Sequence, residues 1–241
     1  MSIFQRSIHI RDCDVAVNRA LRPSCLFSML QEASIDHTEQ LGAGRSRTLD
    51  RGYLWVIARQ HVKISRLPLY GEEVVLESWP GEMLHVLFPR YYRMLDRNGQ
   101  CLLSASAIWS LIDAENRSLV FPDSAGIKVP GIVTGHEISL PSGIRRQETT
   151  VSRKFTVPYC YTDINGHMNN IRYLDEAENM IPEFAEDCSL QEIAVEYSHE
   201  IRRGESMTIS LGINGSSCYF TGDGEKHYFS MLLTYQNSER N

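Results

Sequence analysis

The chain repeats one pattern twice, a helical stretch followed by several stretches in which apolar and polar residues alternate. The helical stretches share a short match, since Leu30–Ala33 in the first half resembles Leu174–Ala177 in the second. A Gly-Glu pair at Gly71 recurs at Gly204 among the alternating stretches. A sheet with one apolar face needs a cover, which a helix supplies. The sequence therefore predicts a duplication, each half being one helix and about four long antiparallel strands.

Proline, asparagine and glycine positions predict where the helices begin and end. The first helix is expected to start near Pro23, whose fixed φ suits a first turn, and to run to Gln40 before two glycines. The second is expected to start at Asn169 or Asn170, which are good N-caps, and to end before Pro182. The predicted strands are Trp55–Ser65, Val74–Trp79, Leu87–Leu95, Cys101–Ile112, Ile193–Glu200, Met207–Ile213 and Phe229–Tyr235.

A segment rich in proline and glycine, Pro122–Ser142, separates the two halves. Such composition indicates a linker, and its length suggests that it crosses the surface. We therefore expect an N-terminal domain at residues 1–122, a linker at 123–150 and a C-terminal domain at 151–241.

Composition narrows the functional class. Hydrophobic residues make up 42% of the chain and charged residues 22%, which favours a packed core over disorder. A net charge of −6 argues against nucleic acid as a partner. No stretch approaches the roughly 20 apolar residues of a membrane span, and no cleavable signal is recognisable. The six cysteines include no C-x-x-C pair, which disfavours zinc and fits a reducing cytoplasm.

Polar side chains alternate just before the second predicted helix, at Asp163, Asn165 and His167. Alternate positions in extended chain face the same side, so a carboxylate, an amide and an imidazole would converge there. Free N–H groups at a helix start near Asn169 or Asn170 would hold an oxyanion. The structural alternative is a turn in which the Asp and Asn side chains cap the loop backbone and His has no functional role. Together the groups indicate a hydrolase.

A second carboxylate is expected to assist the imidazole. Glu200, at the end of a predicted strand, and Glu196, in its middle, both qualify. Histidines in the first half, His37 and His61, are interpreted as structural. The arginine clusters are Arg45, Arg47 and Arg51; Arg145 and Arg146; Arg202 and Arg203. They are either solvated loop charges or a docking site for an acidic carrier protein.

Several motifs together resemble one family over nearly the whole chain: Gly52–Arg59, Pro68–Val74, Glu77–Pro80, Ala107–Asp113 and Asp163–Tyr173. The last, D-x-N-x-H-x-N-N-x-x-Y, is the most specific. On these motifs the chain resembles the acyl-(acyl carrier protein) thioesterase family. The resemblance implies an α+β tandem hotdog fold, in which two long helices are each wrapped by a curved antiparallel sheet.

The resemblance also implies site residues and a reaction. The catalytic group falls on Asp163, Asn165, His167 and Glu200, and we expect Asn169 and Asn170 to bind substrate. The position where plant members often carry a cysteine is Ile201 here, so water attack assisted by Asp163, His167 and Glu200 is favoured over a thiol nucleophile. In this mechanism Asp163 would orient the His167 ring and Glu200 would hold the water. The implied reaction is hydrolysis of fatty acyl thioesters on acyl carrier protein, with no metal or organic cofactor, by a monomer or homodimer.

One site per chain is expected, because the first half lacks the cluster. Leu67 aligns with Glu200, and Asp14, Ala16 and Asn18 stand roughly where the second half has its three polar residues. Three other functions stay open: the same chemistry on acyl-coenzyme A, a hotdog hydratase, and a non-catalytic acyl-binding module. Hydratases often carry D-x-N-P-x-H, a spacing that this chain does not match.

Overall fold

The computed structural model describes residues 3–181 and 188–237. Its elements, in chain order, are β1 (Phe4–His9), α1 (Pro23–Gln40), β2 (Tyr53–Ile64), β3 (Glu73–Pro80), β4 (Leu87–Leu95), β5 (Cys101–Asp113), α2 (Pro122–Ala125), β6 (Val151–Thr156), α3 (Arg172–Glu178), β7 (Cys188–Tyr197), β8 (Ser206–Asn214), β9 (Ser217–Asp223) and β10 (His227–Asn237). The duplication is confirmed in this order, since β1 to β5 and β6 to β10 each enclose one longer helix.

The strands form one antiparallel sheet in the order β1-β3-β4-β5-β2-β7-β10-β9-β8-β6. Read outward from its centre, each half follows the same order, so the halves are related by an approximate two-fold. The two halves join where β2 pairs with β7, with Arg59 opposite Glu196 and Lys63 opposite Glu192. Each of these pairs places opposite charges side by side, which favours this register.

The strand predictions are largely confirmed, with three omissions and one error. β4 runs over Leu87–Leu95 as predicted, and the other six predicted strands overlap observed ones. β1, β6 and β9 were not predicted. β7 ends at Tyr197, so the prediction that the strand continues to Glu200 is wrong. Glu200 instead lies in the connection to β8.

α1 has the predicted bounds. Pro23 occupies its first turn, and Gly42 takes a left-handed φ of 72° just past its end, a conformation that glycine adopts at little cost. One stripe of the helix is buried against the sheet: Pro23, Ser24, Leu26, Phe27, Leu30, Ala33, Ser34 and His37. The buried stripe positions the C-terminal turns of α1 over the first half of the sheet, where the cavity described below opens.

α3 is shorter than predicted. It covers 7 residues and begins at Arg172, after both predicted starts. The side chain of Asn169 accepts a hydrogen bond from the Ile171 N–H at 3.1 Å, and its carbonyl accepts one from Arg172 at 2.9 Å. Asn169 therefore forms a turn ahead of the helix. The prediction of two long helices is wrong for the second, which is short among the described residues.

The segment between the halves crosses the sheet as an extended chain after the single turn of α2. Ile132 donates its N–H to the Pro80 carbonyl at 2.8 Å, and the Ser106 hydroxyl donates to the Ser139 carbonyl at 2.8 Å. Further along, the Ile144 N–H donates to the Glu196 carboxylate at 2.9 Å. No helix in the described part of the chain combines the length and apolarity needed to cross a bilayer.

Candidate active site

The predicted cluster lies on a tight turn. The Asp163 N–H donates to the His167 carbonyl at 2.9 Å, and the Gly166 N–H donates to the Asp163 carbonyl at 3.0 Å. Gly166 has a left-handed φ of 78°, which closes the turn. The turn thereby brings the two ends of the motif side by side.

The first half contains the same turn with different side chains. There the Ala16 N–H donates to the Ala20 carbonyl, and the Arg19 N–H to the Ala16 carbonyl, both at 2.9 Å. Arg19 has a φ of 63°, as the counterpart of Gly166. Ala16, Asn18 and Ala20 therefore correspond to the three polar residues of the second half.

This correspondence corrects the alignment of Asp14, Ala16 and Asn18 by two residues. The expected match of Leu67 with Glu200 is confirmed, because Ala20 bridges Leu69 as His167 bridges Arg202. Two alanines and a leucine replace the titratable groups, so the first half has no counterpart of the cluster.

Three side chains converge beside this turn. The His167 Nε2 lies 3.4 Å from a Glu200 carboxylate oxygen, and the Arg117 Nη2 lies 3.1 Å from that same oxygen. Arg117 Nη2 is also 3.4 Å from His167 Nε2. The imidazole is only 8% exposed, whereas the Glu200 side chain is 38% exposed. A buried ring thus faces an accessible carboxylate that an arginine holds in place.

Arg117 was not predicted. It lies on the hairpin that follows β5 in the first half, with a φ of 62°, and its N–H donates to the Asp113 carbonyl at 3.1 Å. The Asp113 carboxylate caps the same turn through the Glu115 and Asn116 N–H groups, each at 2.9 Å. The only sequence signal was this run of turn-forming residues, which says nothing of contact with the other half.

Asp163 does not act on the ring as expected. Its carboxylate accepts hydrogen bonds from the Asn165 N–H at 2.8 Å and the His167 N–H at 3.4 Å. In the described residues none of its hydrogen bonds reaches the imidazole, whose Nδ1 is buried and has no partner there. Asp163 therefore fixes the backbone of the turn, which is the capping role that the structural alternative predicted for this residue.

The predicted substrate-binding residues line a cavity. A space of about 540 Å³ lies between the C-terminal turns of α1 and the first half of the sheet. Asp163, Asn165, Asn169 and Asn170 close it from the second half. The cavity thus runs from the turn that carries Asp163 and Asn165 into the first half of the molecule.

Two N–H groups near the predicted oxyanion site at the start of the second helix are engaged elsewhere. The Asn169 N–H donates to the Tyr161 carbonyl at 2.9 Å, and the Ile171 N–H donates to the Asn169 side chain. The helix itself begins only at Arg172. The side-chain amide of Asn165 is exposed and faces the cavity, with its nitrogen 3.4 Å from the Asp163 carboxylate.

Two tyrosines near the site have raised pKa values. Burial raises the pKa of the Tyr173 hydroxyl, and the nearby Glu200 and Asp163 carboxylates raise it further. Burial also raises the pKa of Tyr161 to about 12, where its hydroxyl donates to Glu176 at 2.9 Å. Both tyrosines are therefore neutral hydrogen-bond donors at physiological pH.

Three other titratable residues, Glu196, His61 and His37, have partners outside the candidate site. Glu196 binds Arg59 at 2.6 Å and the linker N–H of Ile144, so it lies in the seam between the halves. His61 contacts Glu192 at 2.5 Å across the same seam. His37 is buried and stacks on Phe4, with ring centroids 5.7 Å apart. These contacts agree with the structural interpretation of both histidines.

Known families and curated proteins match most of the chain. Residues 1–122 match the family model of the acyl-ACP thioesterase N-terminal domain, and residues 144–235 match that of the C-terminal domain. A chloroplastic acyl-(acyl-carrier-protein) hydrolase of Cuphea viscosissima is 24% identical over 97% of this chain. A chloroplastic palmitoyl-acyl carrier protein thioesterase of Cuphea hookeriana is 25% identical over 98% of it. The chain spans 59% of the length of both relatives.

Solved structures match the whole architecture. An acyl-ACP thioesterase from Bacteroides thetaiotaomicron superimposes with a TM-score of 0.89 at 19% identity, covering 97% of this chain and 98% of its own. The 12:0-ACP thioesterase from Umbellularia californica gives a TM-score of 0.83 at 21% identity, covering 98% of each chain. The predicted tandem hotdog architecture is confirmed by these matches.

Proposed function

This chain belongs to the acyl-ACP thioesterase family, and we propose that it hydrolyses fatty acyl thioesters on acyl carrier protein. The products are a free fatty acid and the carrier thiol. The observation that carries the proposal is the approach of His167 to Glu200 beside a cavity suited to an acyl chain. An exposed carboxylate next to a buried imidazole provides a base and a proton relay.

One proton route accounts for the reaction. Glu200 accepts a proton from a water molecule as the water oxygen bonds to the thioester carbon. When the C–S bond breaks, His167 passes that proton from Glu200 to the departing sulfur. The 3.4 Å separation of ring and carboxylate is long for a hydrogen bond, as is common in catalytic sites without substrate. A thiol directly after Glu200 is not required, since Ile201 occupies that position.

The remaining polar residues bind and position. Asn165 donates its side-chain N–H to the thioester carbonyl as negative charge develops on the oxygen, a contribution worth roughly 3 kcal/mol in other enzymes. Asp163 holds the turn that presents Asn165 and His167. Asn169 and Asn170 line the cavity and bind the substrate near the thioester.

The carrier docks, in this proposal, on Arg202 and Arg203. Both are exposed and lie two and three residues after Glu200, so an acidic carrier bound there would present its thioester to the site. Reversing both charges to Glu should raise KM for carrier-bound substrate and leave KM for the coenzyme A thioester nearly unchanged. Arg97→Glu, at the opposite end of β5 from the Arg117 hairpin, is the matched control. An equal rise for both substrates would contradict this docking surface.

The cellular setting proposed is a reducing cytoplasm, because all six cysteines are free thiols. Purified enzyme with matched acyl groups on carrier protein and on coenzyme A tests the substrate class, with thiol release as readout. A higher kcat/KM for the carrier thioester supports the proposal. A strong preference for coenzyme A would overturn the carrier assignment and leave the hydrolase intact.

A further inference from the structure

A buried glutamate, Glu176, ties three parts of the second half together. It lies on α3 and is only 3% exposed. Its Oε2 accepts a hydrogen bond from the Arg153 guanidinium of the edge strand β6, and its Oε1 accepts one from the Tyr161 hydroxyl at 2.9 Å. Arg153 also donates to the Glu176 carbonyl at 3.2 Å. One carboxylate therefore links a strand, a helix and the segment that leads into the active-site turn.

Tyr161 carries this link to the turn. Its carbonyl accepts a hydrogen bond from the Asn169 N–H at 2.9 Å, and the neighbouring Thr162 forms a β-bridge with Met168. These two contacts close the loop that contains His167, because they join the residues just before it to the residues just after it. The position of the His167 ring therefore depends on how firmly Tyr161 is held.

The first half has the same turn without this link. Glu32 takes the place of Glu176 in the matched helical stretches, and it is exposed. Asp14 takes the place of Tyr161, two residues before the start of the turn, and it binds Arg11 at 3.1 Å. The described residues of the first half therefore contain no buried carboxylate between helix and turn.

The first half nevertheless keeps the arginine of its edge strand. Arg6 corresponds to Arg153, because the residues three positions later, His9 and Thr156, each pair with the residue that follows a Gly-Glu pair. Arg6 forms an ion pair with Asp36 instead, and these two side chains are 39% and 41% exposed. The buried version of the pair thus occurs in the half that carries the titratable cluster.

Stability alone accounts poorly for a buried ion pair of this kind. Removing a carboxylate from water costs free energy, which the attraction of its partner offsets only in part. The Arg153 Nε–H adds to the cost, because it is buried and has no acceptor among the described residues. The best-attested use of such a pair is to fix one arrangement of the chain.

We propose that the Arg153–Glu176–Tyr161 chain of contacts positions the active-site turn, so that His167 and Asn165 meet the thioester in a productive geometry. The proposal rests on the proposed thioesterase function and adds three positioning residues to it. None of the three is among the residues that line the cavity. They therefore act through the turn, and their loss should lower kcat more than it weakens substrate binding.

Steady-state kinetics of five variants with a carrier thioester test the proposal. Tyr161→Phe removes one hydroxyl and keeps the ring, and it should lower kcat roughly 10-fold while KM stays within about twofold of wild type. Glu176→Gln should lower kcat at least as much. Arg153→Lys should retain more activity than Arg153→Met. The matched control is Arg6→Met, which breaks the exposed pair of the first half and should leave kcat unchanged.

A purely structural role predicts a different result. Tyr161→Phe would then unfold at a lower urea concentration, and the folded variant would keep the kcat of wild type. That result would overturn the proposal, as would a rise in KM with kcat unchanged.

A measurement without substrate separates this proposal from the hydrolase assignment. The NMR signals of the His167 ring, identified by their loss in His167→Gln, should shift in Tyr161→Phe and stay in place in Asp36→Asn. Unshifted signals in Tyr161→Phe would contradict the positioning role, whether or not the wild-type protein cleaves a thioester. Shifted signals in a protein without activity would support the positioning role and refute only the proposed reaction.

Discussion

Arg117 connects the first half of the chain to the candidate site in the second half. Its guanidinium contacts both Glu200 and His167, and its hairpin is held by Asp113. It does not line the cavity, so we assign it a positioning role. The guanidinium holds the Glu200 carboxylate beside the imidazole, where the two groups can share a proton.

Replacing Arg117 with Met should therefore lower kcat roughly 10- to 100-fold with little change in KM. Arg117→Lys should restore part of the lost kcat, and Arg97→Met serves as the control for loss of a surface charge. A rise in KM with kcat unchanged in Arg117→Met would contradict the positioning role.

The raised pKa of the Glu178 carboxyl predicts that the stability of the protein depends on pH. Burial raises its pKa from 4.5 to about 7, with Arg22 opposing the rise and Asp175 adding to it. The native state therefore keeps a proton that the unfolded state has lost between these pH values. Stability should fall as pH rises through this window and stay lower above it.

Glu178→Gln should remove this slope and gain about 1–2 kcal/mol at pH 8, with no gain near pH 4. Urea unfolding at several pH values measures the effect. Glu225→Gln, at an exposed position, is the control. Parallel curves for wild type and Glu178→Gln across this window would contradict the assignment.

At the scale of elements, the two turns before the helices share a backbone and differ in side chains. Gly166 and its counterpart Arg19 both have left-handed φ, at 78° and 63°. An added Cβ at Gly166 would meet no atom within 4 Å, so only backbone strain opposes substitution. The first half shows that an L residue can occupy this turn.

Gly166→Ala should accordingly cost about 1 kcal/mol of unfolding free energy. Gly143 is the matched control, since its φ is not left-handed and the nearest atom to an added Cβ is 3.6 Å away. Gly143→Ala should stay within about 0.5 kcal/mol of wild type. Equal losses in the two variants, measured by urea unfolding, would show that the turn carries no strain.

The predictability of each element followed the strength of its pattern. β8 alternates apolar and polar residues, and α1 carries both proline and glycine boundaries, so their positions could be predicted. β1 and β6 are short edge strands that bury few side chains, so their patterns were weak. The start of α3 was misjudged because Asn169 caps a turn and not the helix.

At the scale of the molecule, the two halves fold onto one continuous sheet. The larger of two buried apolar clusters among the described residues includes residues of both halves, from Phe4 to Tyr235. Glu196 adds a polar link at the seam, since it binds Arg59 of β2 and the linker N–H of Ile144. The hydrophobic core therefore continues across the β2–β7 pairing, with no boundary between the halves there.

Thermal unfolding should consequently show one transition, with equal calorimetric and van't Hoff enthalpies. Glu196→Gln should lower the stability by about 1 kcal/mol without splitting the transition. Glu225→Gln again provides the control. Two resolved transitions in the wild-type protein would contradict a shared core.

The candidate site was predictable only where its residues are close in sequence or belong to a motif. Asp163, Asn165 and His167 lie within one turn, and Glu200 followed from the resemblance. The contact of Arg117 with Glu200 depends on how the halves pair across the sheet, which no local pattern encodes. The role of Asp163 depended on the direction of its carboxylate, which alternation alone did not determine.

The proposed reaction requires His167 and Glu200 to act together in one proton route. Thiol release from an acyl-carrier thioester should be measured for wild type, His167→Ala, Glu200→Gln and the double variant. Each single change should lower kcat by roughly 10²- to 10⁴-fold, and the double variant should be little worse than either. Near-wild-type kcat in either single variant, or fully multiplicative losses in the double variant, would contradict the shared route.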